Sequence, residues 1–106
     1  MENQHRKIKG YRELSQEEID LMNRIKAKGA ELLELQAELV DTLKLQEVAH
    51  FNRMDNAPNP DAAAEAKADF NRFHAAQPQR WASIGRTDIQ TGIMAMVRAV
   101  AQPSEC

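Results

Sequence analysis

Four cations, Arg6, Lys7, Lys9 and Arg12, crowd the first twelve residues against a single acid, Glu2, and Tyr11 lies among them. A phenol surrounded by cations suits a ligand with both a flat ring and a phosphate: the ring stacks and the cations neutralise. The same composition also suits a solvated chain terminus that binds nothing. Lys26, one turn after Met22 and next to Ile25, falls beside an apolar line rather than opposite it. A lysine there can meet an anion or can lay its stem along apolar surface with its ammonium in water. A third group, Arg80, Arg86 and Arg98, lies towards the C-terminus, where Arg80 can simply stack on Trp81.

Catalytic groups are harder to assemble. His5, His50 and His74 form no HxxH or HxxxH pair, and the single cysteine, Cys106, cannot complete a zinc site with them. No glycine-rich phosphate loop and no nucleophile beside a base occurs at a familiar spacing. Glu17, Glu18, Glu31, Glu34, Glu38 and Glu47 fall within one long helical pattern, where carboxylates ordinarily form a solvated face. The residues therefore point to binding, without an enzyme activity and without a cofactor or metal.

Composition narrows the partners. With 106 residues the chain is expected to form one domain at most, and a formal net charge of −2 argues against coating duplex nucleic acid. No apolar run approaches the ~20 residues that cross a membrane. Residues 1–12 are too polar for a secretory leader. One cysteine offers no internal disulfide, which suits a reducing cytoplasm.

The elements that must position these groups are helical, since no stretch alternates with the period of a strand. Ser15 stands three residues before Glu18, the spacing of a capping box, and Leu14 and Ile19 occupy the positions of a hydrophobic staple. Glu17, Glu18 and Asp20 put negative charge on the positive end of the helix dipole. A basic arm (1–14) thus leads into a long helix over 16–52. Its apolar stripe runs Ile19, Met22, Ile25, Gly29, Leu32, Leu39 and Leu43, interrupted at Gln36 and widened by Leu21, Leu33, Leu35 and Val40. Gly29 costs ~1 kcal/mol against alanine inside a helix, so its simplest use is a close helix approach. Asn56-Ala-Pro-Asn-Pro60 is a turn: Pro58 disfavours helix at Ala57, Asn59 is a good N-cap, and Pro60 suits the first helical position. An alanine-rich second helix (60–77) carries Phe70 and Phe73 as larger knobs, and Pro78 then interrupts the chain. The third helix (79–102) is expected to bury Trp81, Ile84, Gly85, Ile89, Gly92, Ile93, Met96, Val97 and Val100, the two glycines again suggesting tight packing.

Length then predicts assembly. A helix of this size spans ~50 Å, whereas a compact domain of this length has a radius of gyration near ~13 Å. The fold class is all-α: an elongated helical hairpin with one long helix against one or two C-terminal helices, its apolar faces completed by oligomerisation.

Two runs carry a family resemblance. Ile8-Lys-Gly-Tyr11-Arg-Glu-Leu-Ser15, continued by Glu18-Ile19, Met22-Asn23 and Ile25-Lys26, resembles the small phage-encoded anti-CBASS sponge proteins, which sequester cyclic oligonucleotide signals of bacterial antiphage defence. The run Arg80-Trp81, Ile84-Gly-Arg-Thr87 and Met94-Ala-Met-Val-Arg98-Ala-Val-Ala-Gln-Pro103 looks like the closing helix of the same family. Residues 45–78 match only in being helical with a proline-rich joint. The likeness extends to the anti-Thoeris sponges, which share the helical hairpin domain. The resemblance implies that Tyr11 stacks on a nucleobase and Lys26 meets the phosphodiester, with Arg12, Asn23, Arg6 and His5 in support. It also implies a second pocket for cyclic trinucleotides, to which Arg80, Arg86 and Thr87 would contribute. The implied partners are cyclic dinucleotides such as cyclic GMP-AMP and further copies of the chain, in a hexamer, within the cytoplasm of the infected bacterial host. From the residues alone a rival stays open: a helical interaction or assembly module whose basic arm docks on an acidic partner.

Overall fold

The computed structural model describes residues 12–104. The chain is all-α, with no strand among the described residues. Its helices are α1 (Gln16–Asp55), α2 (Pro60–Ala76) and α3 (Pro78–Ala101).

Local chemistry sets each boundary. At the start of α1 the Ser15 hydroxyl accepts from the Glu18 N–H (3.1 Å), and the Ser15 N–H donates to Glu18 Oε1 (2.9 Å). Two orphan donors are thereby satisfied reciprocally. After α1 the Asn56 amide donates back to the Asn52 carbonyl at 2.9 Å. Asn59 then caps α2, its side chain accepting from the Ala62 N–H at 2.8 Å, with Pro60 first in the helix. Pro78 does not break a helix but begins one. The break falls at Gln77, whose left-handed backbone (φ 51°, ψ 52°) ends α2 and sends its N–H to the His74 carbonyl.

The residues form two compact units, one of residues up to Leu33 with those from Thr87, the other Glu34–Arg86. In the first, the early turns of α1 pair antiparallel with the late turns of α3. Met22, Ile25, Gly29 and Leu33 face inward. A Cβ placed on Gly29 would overlap Ile93 Cδ1 and lie 2.6 Å from Ile93 Cγ1, so the bare backbone is what admits Ile93. Arg12 closes this unit. Its guanidinium donates to the Val100 and Ala101 carbonyls (2.8 and 3.2 Å) and to Glu18 Oε2 (2.5 Å). It thus satisfies carbonyls left orphaned at the end of α3, where a cation also suits the dipole.

In the second unit the buried residues are Leu43, Ala66, Phe73 and Ala82, with Val40 packed against them. His50 and Phe73 meet at 5.0 Å between ring centroids, Phe51 and Phe70 at 4.9 Å. Arg53 pairs with Asp69 at 2.8 Å, and this bond holds the Asp69 carboxyl below its ordinary range.

The packing corrects two expectations. The inward line of α1 passes through Leu33, Gln36 and Val40, so Gln36 is part of the seam, whereas Leu32 and Leu39 stay about half exposed (48% and 46%). Apolar residues on both flanks of the seam made the stripe look wide, but one narrow line is filled. On α3, Trp81 (60% exposed) and Met96 (52%) lie outside, and the small residue Ala82 is the buried one. Adjacent helical residues differ by about 100° in direction, so burying Ala82 turns Trp81 away.

Two predictions follow from this packing and from the Arg12 clamp. Gly29→Ala should lower the melting temperature, because Ile93 must yield. Gly85→Ala should raise stability by about 0.5–1 kcal/mol, since a Cβ at Gly85 meets nothing within 4 Å. Thermal unfolding of both variants checks the contrast. The Arg12 guanidinium and the Ser15 N–H hold the Glu18 carboxyl down from the ordinary 4.5 to about 2. Because the folded chain binds this proton more weakly, the stabilisation is present above about pH 4.5 and disappears as the pH falls towards about 2. Glu18→Gln should therefore flatten the loss of stability across that acid window, as read by denaturant unfolding at stepped pH.

Candidate ligand-binding residues

Lys26 and Asn23 stand three residues apart on α1, close enough for two side chains to address one ligand. Both are exposed, and neither side chain bonds to another described residue. Their helix is fixed by the capping box at one end and by the Gly29–Ile93 contact just beyond them. Tyr11 and Arg6, with His5, lie outside the described residues.

Arg12 is occupied differently from the other candidates. Its guanidinium is engaged with Glu18 and with the last carbonyls of α3, which spends its charge inside the fold. The described part of the arm thus contributes a fastening.

Arg80 and Arg86 of α3 have neutral partners. Arg80 lies over the Trp81 ring, 5.4 Å from its centroid, and donates to Gln77 Oε1 at 3.2 Å. Arg86 donates to Gln36 Oε1 at 3.4 Å, and Thr87 is exposed beside it in sequence. Six residues separate Arg80 from Arg86, about 9 Å along the axis and about 240° around it. A single helix does not aim both at one compact ligand.

Sequence reasoning passed over a groove in the first unit. Leu21, Ile25, Leu32, Ile89, Ile93 and Met96 line a cavity of about 650 Å³, with Arg24, Lys28 and Glu31 also on its wall. Arg24 and Lys28 are spaced i, i+4, one turn apart beside the apolar line, and that spacing was the available signal. Lys26 is not among its lining residues, since it falls on the opposite flank of the seam. A smaller cavity of about 480 Å³ lies by the α1–α2 turn, between Asn52, Arg53, Asn56, Pro58 and Glu65. Among the described residues no group of three or more His, Cys, Asp or Glu could hold a metal ion, and no helix is long and apolar enough to cross a membrane.

Comparison with known proteins gives these positions a context. The family model of the Acb2/Tad1 hairpin domain matches residues 3–101. Anti-CBASS protein 2 of Pseudomonas phage JBD67 is 54% identical over 111 aligned positions that cover the whole of both chains. A match reaching from the basic arm to the end of α3, at that identity, leaves one conclusion: this chain belongs to the Acb2/Tad1 hairpin family.

Proposed function

We propose that this protein is a phage counter-defence protein that binds the cyclic dinucleotide messengers of bacterial CBASS immunity and sequesters them without cleaving them. The full-length similarity to a phage protein named for anti-CBASS action carries the reading. The exposed Lys26 and Asn23, following an arm with one tyrosine among cations, agree with it in chemistry. In this reading Tyr11 stacks on a base, Lys26 meets the phosphodiester, and Asn23 and Arg6 assist. Arg12 acts mainly by anchoring the arm. The ligand class is that of cyclic GMP-AMP, and the place of action is the cytoplasm of the infected host. Cyclic trinucleotides would use a second site where several copies converge, to which Arg80, Arg86 and Thr87 contribute from different copies. Sequestration works by mass action: stoichiometric protein holds the free messenger below what the defence effector needs.

Assembly belongs to the same proposal. Leu21, Leu32 and Met94 of the first unit, and Leu35, Leu45 and Trp81 of the second, are 42–71% exposed. Apolar surface on that scale is ordinarily covered by a partner. Further copies of the chain, six in all, are the partner we assign. Lys26 comes eleven residues after the N-cap, ~16 Å along α1, too far for it and an arm tyrosine to grip one compact ligand unless the arm folds back. A pocket that takes Tyr11 from one copy and Lys26 from another meets the requirement.

Cyclic GMP-AMP mixed with the protein should vanish from the free pool and return intact on heating. Linear products would instead mark an enzyme, and no depletion would favour an interaction module. Tyr11→Ala should cost ~1–3 kcal/mol of affinity while Tyr11→Phe keeps most of it, by titration calorimetry. Tyr11→Ala and Lys26→Ala chains, each defective alone, should recover some binding when unfolded together and reassembled. Heteromers that form but bind nothing would place the pocket within one chain. The native protein should sediment well above its monomer mass of 12.0 kDa. Because Leu39 is half exposed, Leu39→Asp should reduce that mass while leaving the helical circular-dichroism signal; a native protein that is already a stable monomer overturns the assembly.

A further inference from the structure

Gln36 is an amide at a position of the α1 seam where a leucine would fit the pattern. It is 9% exposed, and Val40 and Leu43 follow it along the same line. A buried amide must satisfy both its ends. Gln36 Nε2 donates to the Ala82 carbonyl at 3.0 Å, and Oε1 accepts from Arg86 Nη1 at 3.4 Å. The orientation is forced, because a carbonyl can only accept and a guanidinium can only donate. Ala82 and Arg86 are one turn apart on α3, so one amide spans that turn and draws the guanidinium towards α1.

The neutrality of this partner matters. Arg12 and Arg53 are each held by a carboxylate, Glu18 and Asp69, which cancels the charge being held. Gln36 fixes Arg86 without cancelling it. Arginine has five N–H donors; Gln36 takes one, and the exposed remainder can face an anion. We infer that Gln36 is a positioning residue, which presents Arg86 as an oriented, unneutralised cation to the phosphodiester of a cyclic oligonucleotide. The inference rests on the reading of Arg86 as part of a second ligand site. It adds what the buried amide is for: fixing the direction of a charge that a leucine would leave unfixed and a glutamate would cancel.

The test uses the full chain, cyclic tri-AMP as probe and cyclic GMP-AMP as control, with melting measured on every variant. Gln36→Leu should keep or raise the melting temperature, since the Ala82 carbonyl stays within the α3 helix ladder, the exposed Arg86 guanidinium can turn to water, and a well-packed apolar side chain fills the seam. The same change should weaken cyclic tri-AMP binding about tenfold and leave cyclic GMP-AMP binding unchanged. Gln36→Glu should weaken cyclic tri-AMP binding too and make what remains less dependent on salt, because the new carboxylate pairs with Arg86. Arg86→Ala tests the underlying site. If it leaves cyclic tri-AMP binding intact, or if the native protein does not bind that probe, the second-site reading and the inference fall together. If Arg86→Ala abolishes binding while Gln36→Leu binds normally, the site stands and the role of Gln36 is overturned. Loss of both ligands with a lowered melting temperature in Gln36→Leu would make the residue merely structural and would overturn it as well.

Discussion

A seam one residue wide runs along α1 in steps of three and four, from Met22 through Ile25, Gly29, Leu33, Gln36, Val40, Leu43, Glu47 and His50 to Met54. It is the spacing of a coiled-coil interface. Among the described residues, Val40 and Leu43 of this line pack with Phe73 and Ala82. A line so narrow on a helix of 40 residues, ~60 Å long, leaves most of the helix surface uncovered. Small residues make the seam workable: Gly29 admits Ile93, and Ala82 lies against the Gln36 amide. Polar residues enter it with partners, Gln36 on Ala82 and Glu47 on Gln79 at 3.3 Å.

The cations divide by what holds them. Carboxylates hold Arg12 and Arg53, and these two fasten elements: the approach to α1 against the end of α3 in one unit, α1 against α2 in the other. Amide oxygens hold Arg80 and Arg86, whose charge is left available. Lys26 has no partner among the described residues. A chain with net charge −2 can still bind an anionic ligand, because local placement and net charge act at different ranges. This sorting follows from partners alone, and it separates residues that build the fold from those open to a ligand.

Legibility in the sequence followed the range of the interaction. The capping box at Ser15–Glu18, the Asn59 cap with Pro60 and the need for a bare backbone at Gly29 are local or nearly so, and all appear in the structure. The phase of the seam was less legible. Leu32 and Leu33, or Leu39 and Val40, compete as neighbours of equal apolarity, and the choice is made by what α2 and α3 present. Gln36 looked like an interruption because its partners lie 46 and 50 residues away. Gly85 and Gly92 looked like contact points, yet a Cβ on either meets nothing within 4 Å. Arg12 was legible as one of the cations near Tyr11, whereas its engagement with α3 depends on a carbonyl position no local pattern encodes. Lys26 was legible only as a cation near an apolar line; family resemblance supplied the role proposed for it.

Energetics sets a demand on the proposed site. A nanomolar complex corresponds to ~12 kcal/mol, while a stacked base contributes ~1–3 kcal/mol and an exposed ion pair ~1 kcal/mol or less. Lys26 and Asn23 stand in water on the surface of one helix, where an ammonium attracts a phosphate weakly. Removing water around them would strengthen that attraction, and a wall on the far side of the ligand would do so. Leu21, Leu32, Leu35 and Leu39 are apolar residues on α1 that the other described residues leave 42–58% exposed. Covering them with further copies, as proposed, brings new walls near the same helix. In the proposed assembly the length of α1 leaves apolar surface for another copy to cover, and Lys26, on the other flank of the seam from Leu21 and Leu32, gains affinity where a neighbouring copy reaches that flank as well.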